Sequence, residues 1–250
     1  FYRTNVLGAR NVLEGCRGEG VSRLVYTSTP SVIFDGAPHG GVDESRPYPA
    51  RFFAPYPESK AVAEREILAA NGAGLYTCAL RPHLIWGPGD PHLIPGVVRA
   101  ARAGRMKIVG DGTNRSDVVY VDNAADAHIG ALDRLVPGSP VGGRAYFVSQ
   151  GAPVNLWGFI NTILERLGEP AITGRMSYRV AYALGAAAET AWRLMGRGDD
   201  PPMTRFMAMN LAHDHWFVID RVRRELDYVP QVSTVEGLDR LARWWREEQA

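Results

Sequence analysis

Arg23-Leu24-Val25-Tyr26-Thr27-Ser28-Thr29-Pro30-Ser31-Val32 is the stretch from which the fold is read. A short apolar run ends in a cluster of hydroxyls. This predicts a buried parallel strand over Leu24 to Thr27 with polar side chains at its carboxyl end. In open α/β sheets, ligands sit outside that end. Downstream stands Ala54-Pro55-Tyr56-Pro57-Glu58-Ser59-Lys60, followed by a helix-forming run to Ala70. Tyr56 and Lys60 are four positions apart, so phenol and ammonium share one helix face. A free phenol titrates near pH ~10 and is a poor base at neutral pH. Lowering that value by ~3 units takes roughly 4 kcal/mol. One ammonium about 4 Å away supplies that much at an effective dielectric of ~20. The pair therefore suits general acid/base work near pH 7. Alone, Tyr-x-x-x-Lys reads better as a half-buried ring beside a solvated lysine, and the upstream strand with its hydroxyls reverses that preference.

The two stretches together resemble the short-chain dehydrogenase/reductase superfamily in its extended form, over nearly the whole chain. The resemblance implies an α/β fold, a Rossmann-like doubly wound parallel sheet with a smaller, mostly helical substrate region, and NAD or NADP as cofactor. It implies that Thr29 polarises the substrate oxygen and that Tyr56 gives or takes the proton. Lys60 would modulate Tyr56 and hold the nicotinamide ribose. Many relatives have Ser where Thr29 stands. Thr4-Asn5-Val6-Leu7-Gly8 resembles the family's Asn-Val-x-Gly segment, in which the asparagine stabilises a helix distortion and joins a water relay to the lysine. For Asn5 that role and the role of an ordinary helical asparagine have equal weight. Pro82 would lie against the nicotinamide. No family role maps onto His83, which reads as a strand-end residue with a structural hydrogen bond.

Three further stretches look like the 3-beta-hydroxysteroid dehydrogenase branch: Thr27 to Phe34, Arg81 to Pro88 and Val119 to Ala124. Within it they are nearest to sterol-4-alpha-carboxylate 3-dehydrogenases and bacterial 2-alkyl-3-oxoalkanoate reductases. The shared chemistry implied is interconversion of a secondary alcohol and a ketone beta to a carboxylate, on a large apolar skeleton. Pro30 and Asn155-Leu156-Trp157 lean towards the bacterial reductases. Nucleotide-sugar epimerases of the superfamily usually carry Arg immediately before the aspartate, where this chain has Ser116 before Asp117. An anionic nucleotide tail would lose its bidentate partner there. Epimerase or dehydratase action on a nucleotide sugar is thus one rival function. A non-catalytic nucleotide-binding sensor and a structural subunit are the others. Sensors typically lose the tyrosine or lysine that this chain keeps.

The 250 residues, 46% hydrophobic with formal charge +1, suffice for a real core and one or two domains. The near-zero charge argues against nucleic-acid binding. Cys16 and Cys78 make no disulfide framework, have no partners at metal-ligand spacing and read as core residues, so no metal site is expected and a reducing, cytoplasmic setting fits. Phe1 to Cys16 already has the spacing of a mid-domain helix. The superfamily's glycine-rich phosphate loop would precede it, so the sequence reads as N-terminally truncated. Residues 1–150 are assigned to the cofactor-binding domain, with 88–115 serving the substrate side, and 151–250 to a substrate-binding lid region.

Further elements are expected as follows: a functional loop over Phe34 to Ala54, a strand over Leu75 to Trp86, a helix over Pro95 to Gly104, a short strand over Lys107 to Val109, a helix to Leu135 capped by Asp122 or Asn123, and a last sheet strand over Arg144 to Ser149. Tyr178 to Met195 is an Ala-rich helix near the lower length for crossing a bilayer, but its interior Glu189 favours a buried or lid helix, with a membrane-surface helix second. The Met-rich run Pro202 to Trp216 suits irregular apolar ligands and equally core filling. The partner expected is a small apolar substrate, and the sequence leaves room for peripheral membrane contact and a homodimer.

Overall fold

The computed structural model describes residues 1–197, 199 and 201–249. A π-helical turn (Arg3–Leu7) runs into α1 (Gly8–Gly18) and β1 (Arg23–Thr27). A 3-10 turn (Pro30–Ile33), β2 (His39–Val42), α2 (Pro55–Ala69), β3 (Tyr76–Pro82), β4 (Ile85–Trp86) and α3 (Leu93–Arg102) follow. Next come β5 (Ile108–Val109), β6 (Arg115–Ser116), β7 (Val119–Tyr120), α4 (Val121–Arg134), β8 (Ala145–Val148), β9 (Val154–Asn155) and α5 (Leu156–Arg166). The chain closes with β10 (Arg175–Met176), α6 (Tyr178–Leu194), α7 (Arg205–Ala212), β11 (His215–Phe217), α8 (Asp220–Leu226) and α9 (Thr234–Gln249).

Strands β1, β3 and β8 form a parallel sheet in that order, with Thr27 opposite Leu80 and Leu80 opposite Tyr146. The strands are apolar because helices cover both faces. On one side Ala9 and Leu13 of α1 and Ala63 and Ile67 of α2 form a cluster against Leu24 and Tyr26. On the other, α4 and α8 bury Ala127, Ala131, Val222 and Leu226 against Leu80 and Val148. Both cysteines pack in these clusters, Cys78 fully buried.

The single strand expected over Leu75 to Trp86 is two strands. Leu84 has φ 42°, in the left-handed region where a Leu is strained. The chain turns there, and Ile85–Trp86 leaves the main sheet to pair with Val119–Tyr120. The loop before α2 is structural as well. It contributes β2, which pairs in parallel with β11, and Tyr48, whose hydroxyl donates to Glu64 at 2.6 Å. The expected cap of α4 is also corrected. Tyr120 is the N-cap residue and neither Asp122 nor Asn123 caps the helix. Asn123 is fully buried, and its amide donates to Gln150 Oε1 and Val232 O while accepting from the backbone of Gln231 and Val232. It ties the C-terminal segment to α4, and Asp122 pairs outside with Arg240.

The second core joins α3 and β4 to α5 and α9. It contains Trp86, Ile94, Val98, Trp157, Ile163 and Leu241. Phe217, Ile219 and Val222, from the C-terminal part of the chain, pack with the core of the parallel sheet. Helices α6 and α7 approach closely over Gly185, where a Cβ would stand 2.6 Å from the Thr204 carbonyl carbon. Among the described residues no helix is long and apolar enough to cross a membrane.

Candidate active site

A cleft of about 730 Å³ opens at the carboxyl end of β1 and β3. The sheet places it there, because a strand end frees polar side chains and backbone that pairing would consume. Thr29, Tyr56, Lys60 and Pro82 all line it. Asn5 does not, and stands two hydrogen bonds behind the wall, through Ser59 to Tyr56.

Thr29 follows β1 and caps the 3-10 turn, its Oγ1 accepting from the Ser31 backbone at 3.3 Å. That fixes a buried hydroxyl at the cleft wall. Tyr56 sits in the first turn of α2, beside Pro55, whose missing N–H is harmless there. Burial pushes the Tyr56 phenol above its ordinary value, and the Thr29 hydroxyl beside it pulls the other way. The edge-on ring of Phe1 packs 5.7 Å from the Tyr56 ring.

Lys60 Nζ donates to the Thr27 carbonyl at 2.6 Å and lies 4.3 Å from the centre of the Tyr26 ring. Burial brings its pKa down to about 8, against the pull of Glu64 one turn on. The spacing argument expects an ammonium that lowers the phenol. In this arrangement the ammonium is bonded to Thr27 and the phenol stands high.

Two supports stand behind the site, one anchored on Asn5, which the Asn-Val-x-Gly segment marks, and one on Glu64 and Arg81, which no motif marks. Asn5 lies in the π-helical turn, and its Nδ2 donates to Ser59 Oγ at 2.9 Å. Ser59 is fully buried and donates in turn to the Tyr56 carbonyl at 2.9 Å. Single-turn π bulges are frequent at functional sites. One helical turn beyond Lys60, Glu64 is fully buried and takes two bonds from Arg81, at 3.0 and 2.6 Å. The helical spacing of Tyr56, Ser59, Lys60 and Glu64 is the signal in the sequence that points to Ser59 and Glu64.

Other residues at the cleft settle earlier questions. His83 bonds Ser116 Oγ at 3.3 Å, and burial pushes its pKa down to about 4, so the ring is neutral. Ser116 is buried, and the Arg115 guanidinium stacks over Trp216 at 5.1 Å. Among the described residues that line the cleft, Lys60 is the one cation and no arginine is present. The rest of the wall is mostly apolar, with Leu84, Ile85, Phe206, Met207 and Leu211, and carries the polar Thr204 and Asn210 as well.

A family model described as the 3-beta hydroxysteroid dehydrogenase/isomerase family matches residues 1–175. The chain belongs to that family. It is 47% identical over 245 residues to a 2-alkyl-3-oxoalkanoate reductase of Stenotrophomonas maltophilia, covering 96% of this chain and 74% of that protein. A protein of the same description from Shewanella oneidensis is 44% identical, covering 96% of this chain and 64% of the relative. The human sterol-4-alpha-carboxylate 3-dehydrogenase, decarboxylating, is 33% identical, covering 98% of this chain and 67% of its own length. Among solved structures, MoeE5 in complex with UDP-glucose and NAD superposes with a TM-score of 0.72 at 25% identity, covering all of this chain and 73% of that one. This chain thus shares its frame with a protein whose structure holds UDP-glucose and NAD.

Proposed function

We propose that this protein is an NAD(P)-dependent oxidoreductase that interconverts a secondary alcohol and a ketone on a large apolar acid of the 2-alkyl-3-oxoalkanoate type. One observation carries the reading. The Thr29, Tyr56 and Lys60 group opens into a wall of aliphatic, aromatic and Met side chains, with no arginine among its described residues. A nucleotide diphosphate would forgo charge-assisted bonds of roughly 1.5–3 kcal/mol each. A greasy substrate gains about 0.8 kcal/mol per buried methylene.

The cleft fits a nicotinamide ribose. Lys60 and Tyr56 are its donors, Pro82 supplies an apolar wall, and the buried Ser28 hydroxyl there has no partner within the protein. When bound, the nicotinamide exchanges hydride with the substrate carbon. The protein's own groups handle the oxygen. In the reducing direction Thr29 and Tyr56 hydrogen-bond the ketone oxygen, and Tyr56 delivers a proton as the carbon gains hydride. The alcohol forms, its oxygen still held by Thr29 and by the ionised Tyr56. In the oxidising direction the same phenol removes that proton. Lys60, mostly protonated at pH 7 with a pKa of about 8, stabilises the phenolate left behind. Asn5 and Ser59 hold the turn of α2 that carries Tyr56.

The test compares a 2-alkyl-3-hydroxy acid, a 3-hydroxysteroid and UDP-glucose on the whole protein, following cofactor absorbance. Turnover of the acyclic acid is expected, and Tyr56→Phe should lower it by roughly 10²–10⁴-fold. Turnover of UDP-glucose alone, or a tenth or more of wild-type activity in Tyr56→Phe, overturns the reading.

A further inference from the structure

We infer that the substrate binds with two apolar arms, a short one in a narrow chamber behind His83 and Leu84 and a longer one in an open groove beside Gly96. This rests on the alcohol–ketone reading above and adds where each part of the skeleton goes.

The chamber is a cavity of about 130 Å³ between α3 and α5. Its walls include Ile94, Val97, Leu156, Phe159, Ile160 and Ile163, all buried. It shares His83, Leu84, Asn210 and Leu211 with the catalytic cleft, so the two spaces adjoin. The few polar groups at that boundary are bonded elsewhere. His83 faces Ser116, and the Asn210 amide donates to the Phe206 carbonyl at 2.8 Å. Burial keeps His83 uncharged. An apolar cavity of roughly 150 Å³ takes one benzene ring. The chamber therefore seats roughly six carbons and stops there. Leu84 stands in its left-handed conformation at this boundary, and strain of that kind gathers at ligand clamps.

The groove meets the cleft at Met207 and Leu211, and it borders the chamber along Leu93, Val97 and Met106. It continues past Gly96, Ala100, Met176 and Met203, with Arg105 and Lys107 also on its lining. Its walls are partly exposed, Met207 at 41%, so it does not set a hard stop. Methionines adapt to irregular apolar chains. Gly96 is the independent sign. It sits inside α3, where Gly is the least favoured residue after Pro. No tight packing requires it, since a Cβ there would meet nothing within 4 Å. The absent side chain leaves the groove floor open.

The experiment uses 2-alkyl-3-hydroxy acids in which the two chains are lengthened independently. Oxidation by the whole protein gives kcat/KM, and calorimetry gives binding. In wild type, one chain should gain up to about fourfold per methylene, and the other should collapse beyond roughly six carbons. Gly96→Leu should lower the long-to-short ratio on the first chain by at least tenfold. It should also raise Tm by about 2 °C, because the helix loses a glycine. Ile160→Ala should move the cut-off on the second chain by two to three carbons, a number set by the side-chain atoms removed. Equal length dependence on both chains, or a Gly96→Leu variant that keeps its long-chain preference, overturns the two-arm inference and leaves the alcohol–ketone reading standing. Oxidation of a 3-hydroxysteroid with no turnover of any acyclic acid overturns the substrate reading itself.

Discussion

On the wall that carries Tyr56 and Lys60, a buried ion pair and a chain of hydrogen bonds fix the side chains. Glu64 takes bonds from Arg81 and Tyr48, Lys60 is held by Thr27, and Ser59 links Asn5 to Tyr56. On the opposite wall, α3, α5 and α7 offer aliphatic and Met side chains that are held by packing alone. The difference follows from what each wall must do. A proton transfer tolerates little misplacement, since a displacement of about 1 Å can cost ~10²-fold in rate. A hydrocarbon chain gains nearly the same from any dry surface of suitable width. The polar wall is over-determined and the apolar wall is adaptable, and each can be tested where it should be weakest.

The largest effect is expected at the buried ion pair. Arg81→Met keeps much of the volume but leaves Glu64, fully buried, without its cation. Removing one partner of such a pair costs about 3–5 kcal/mol. Urea unfolding should show a lower midpoint with the slope m unchanged. A companion Glu64→Gln, Arg81→Met variant should recover much of the loss, because no buried charge remains. A loss below about 1 kcal/mol in the single variant would mean that the polar wall is not built on this pair.

The comparison also explains what the sequence shows and what it hides. Thr29, Tyr56, Lys60 and Pro82 are legible because their chemistry sits in short local patterns, a strand end and a helical i, i+4 pair. Arg81 reaches Glu64 across 17 positions and Asn5 reaches Ser59 across 54, and no local pattern announces such bonds. The break at Leu84 is hidden for another reason. Nothing in Arg81 to Gly87 forbids a continuous strand, and only the pairing of Ile85–Trp86 with β7 settles it. The same holds for Asn123, which has the chemistry of a cap but is drawn inward by the backbone of Gln231 and Val232.

A second, smaller effect belongs to the boundary between the two walls, where three histidine rings gather. His83, His39 and His215 lie with neighbouring ring centres 6.1 Å apart. Burial holds His83 at about 4 and His215 at about 3, and it lowers His39 as well, against the Asp35 carboxylate that bonds it. As pH falls below 6.5, the unfolded chain takes up protons that these rings refuse in the native state, so stability declines. Asp117 beside them acts in the opposite sense. Burial raises it from 3.8 to about 6, so between those values the native state holds a proton that the unfolded chain has lost. It offsets roughly one histidine. The net expectation is a loss of about 2 kcal/mol between pH 6.5 and 5. His215→Gln should flatten most of that slope in urea titrations at the two pH values, and an unchanged slope would show that the ring is protonated in the native state.

The smallest effect tests whether the polar wall is positioned from behind. Neither Ser59 nor Asn5 lines the cleft, so the expected role of each is positioning. Ser59→Ala removes the donor to the Tyr56 carbonyl and the acceptor for Asn5. One such buried bond contributes about 1 kcal/mol, which corresponds to roughly a fivefold change if it is felt in the transition state. The expected result is a fall of about that size in kcat with KM little changed, since the apolar wall still binds the chains. Asn5→Ala should give a fall of similar size. The two residues act through one connection, so the double variant should lose little more than either single one. A double-mutant cycle measures that coupling directly. Additive losses would show that Asn5 and Ser59 serve separate purposes, with the π-helical turn only a packing feature of α1. Coupled losses confined to kcat would place the turn in the machinery that aims the phenol.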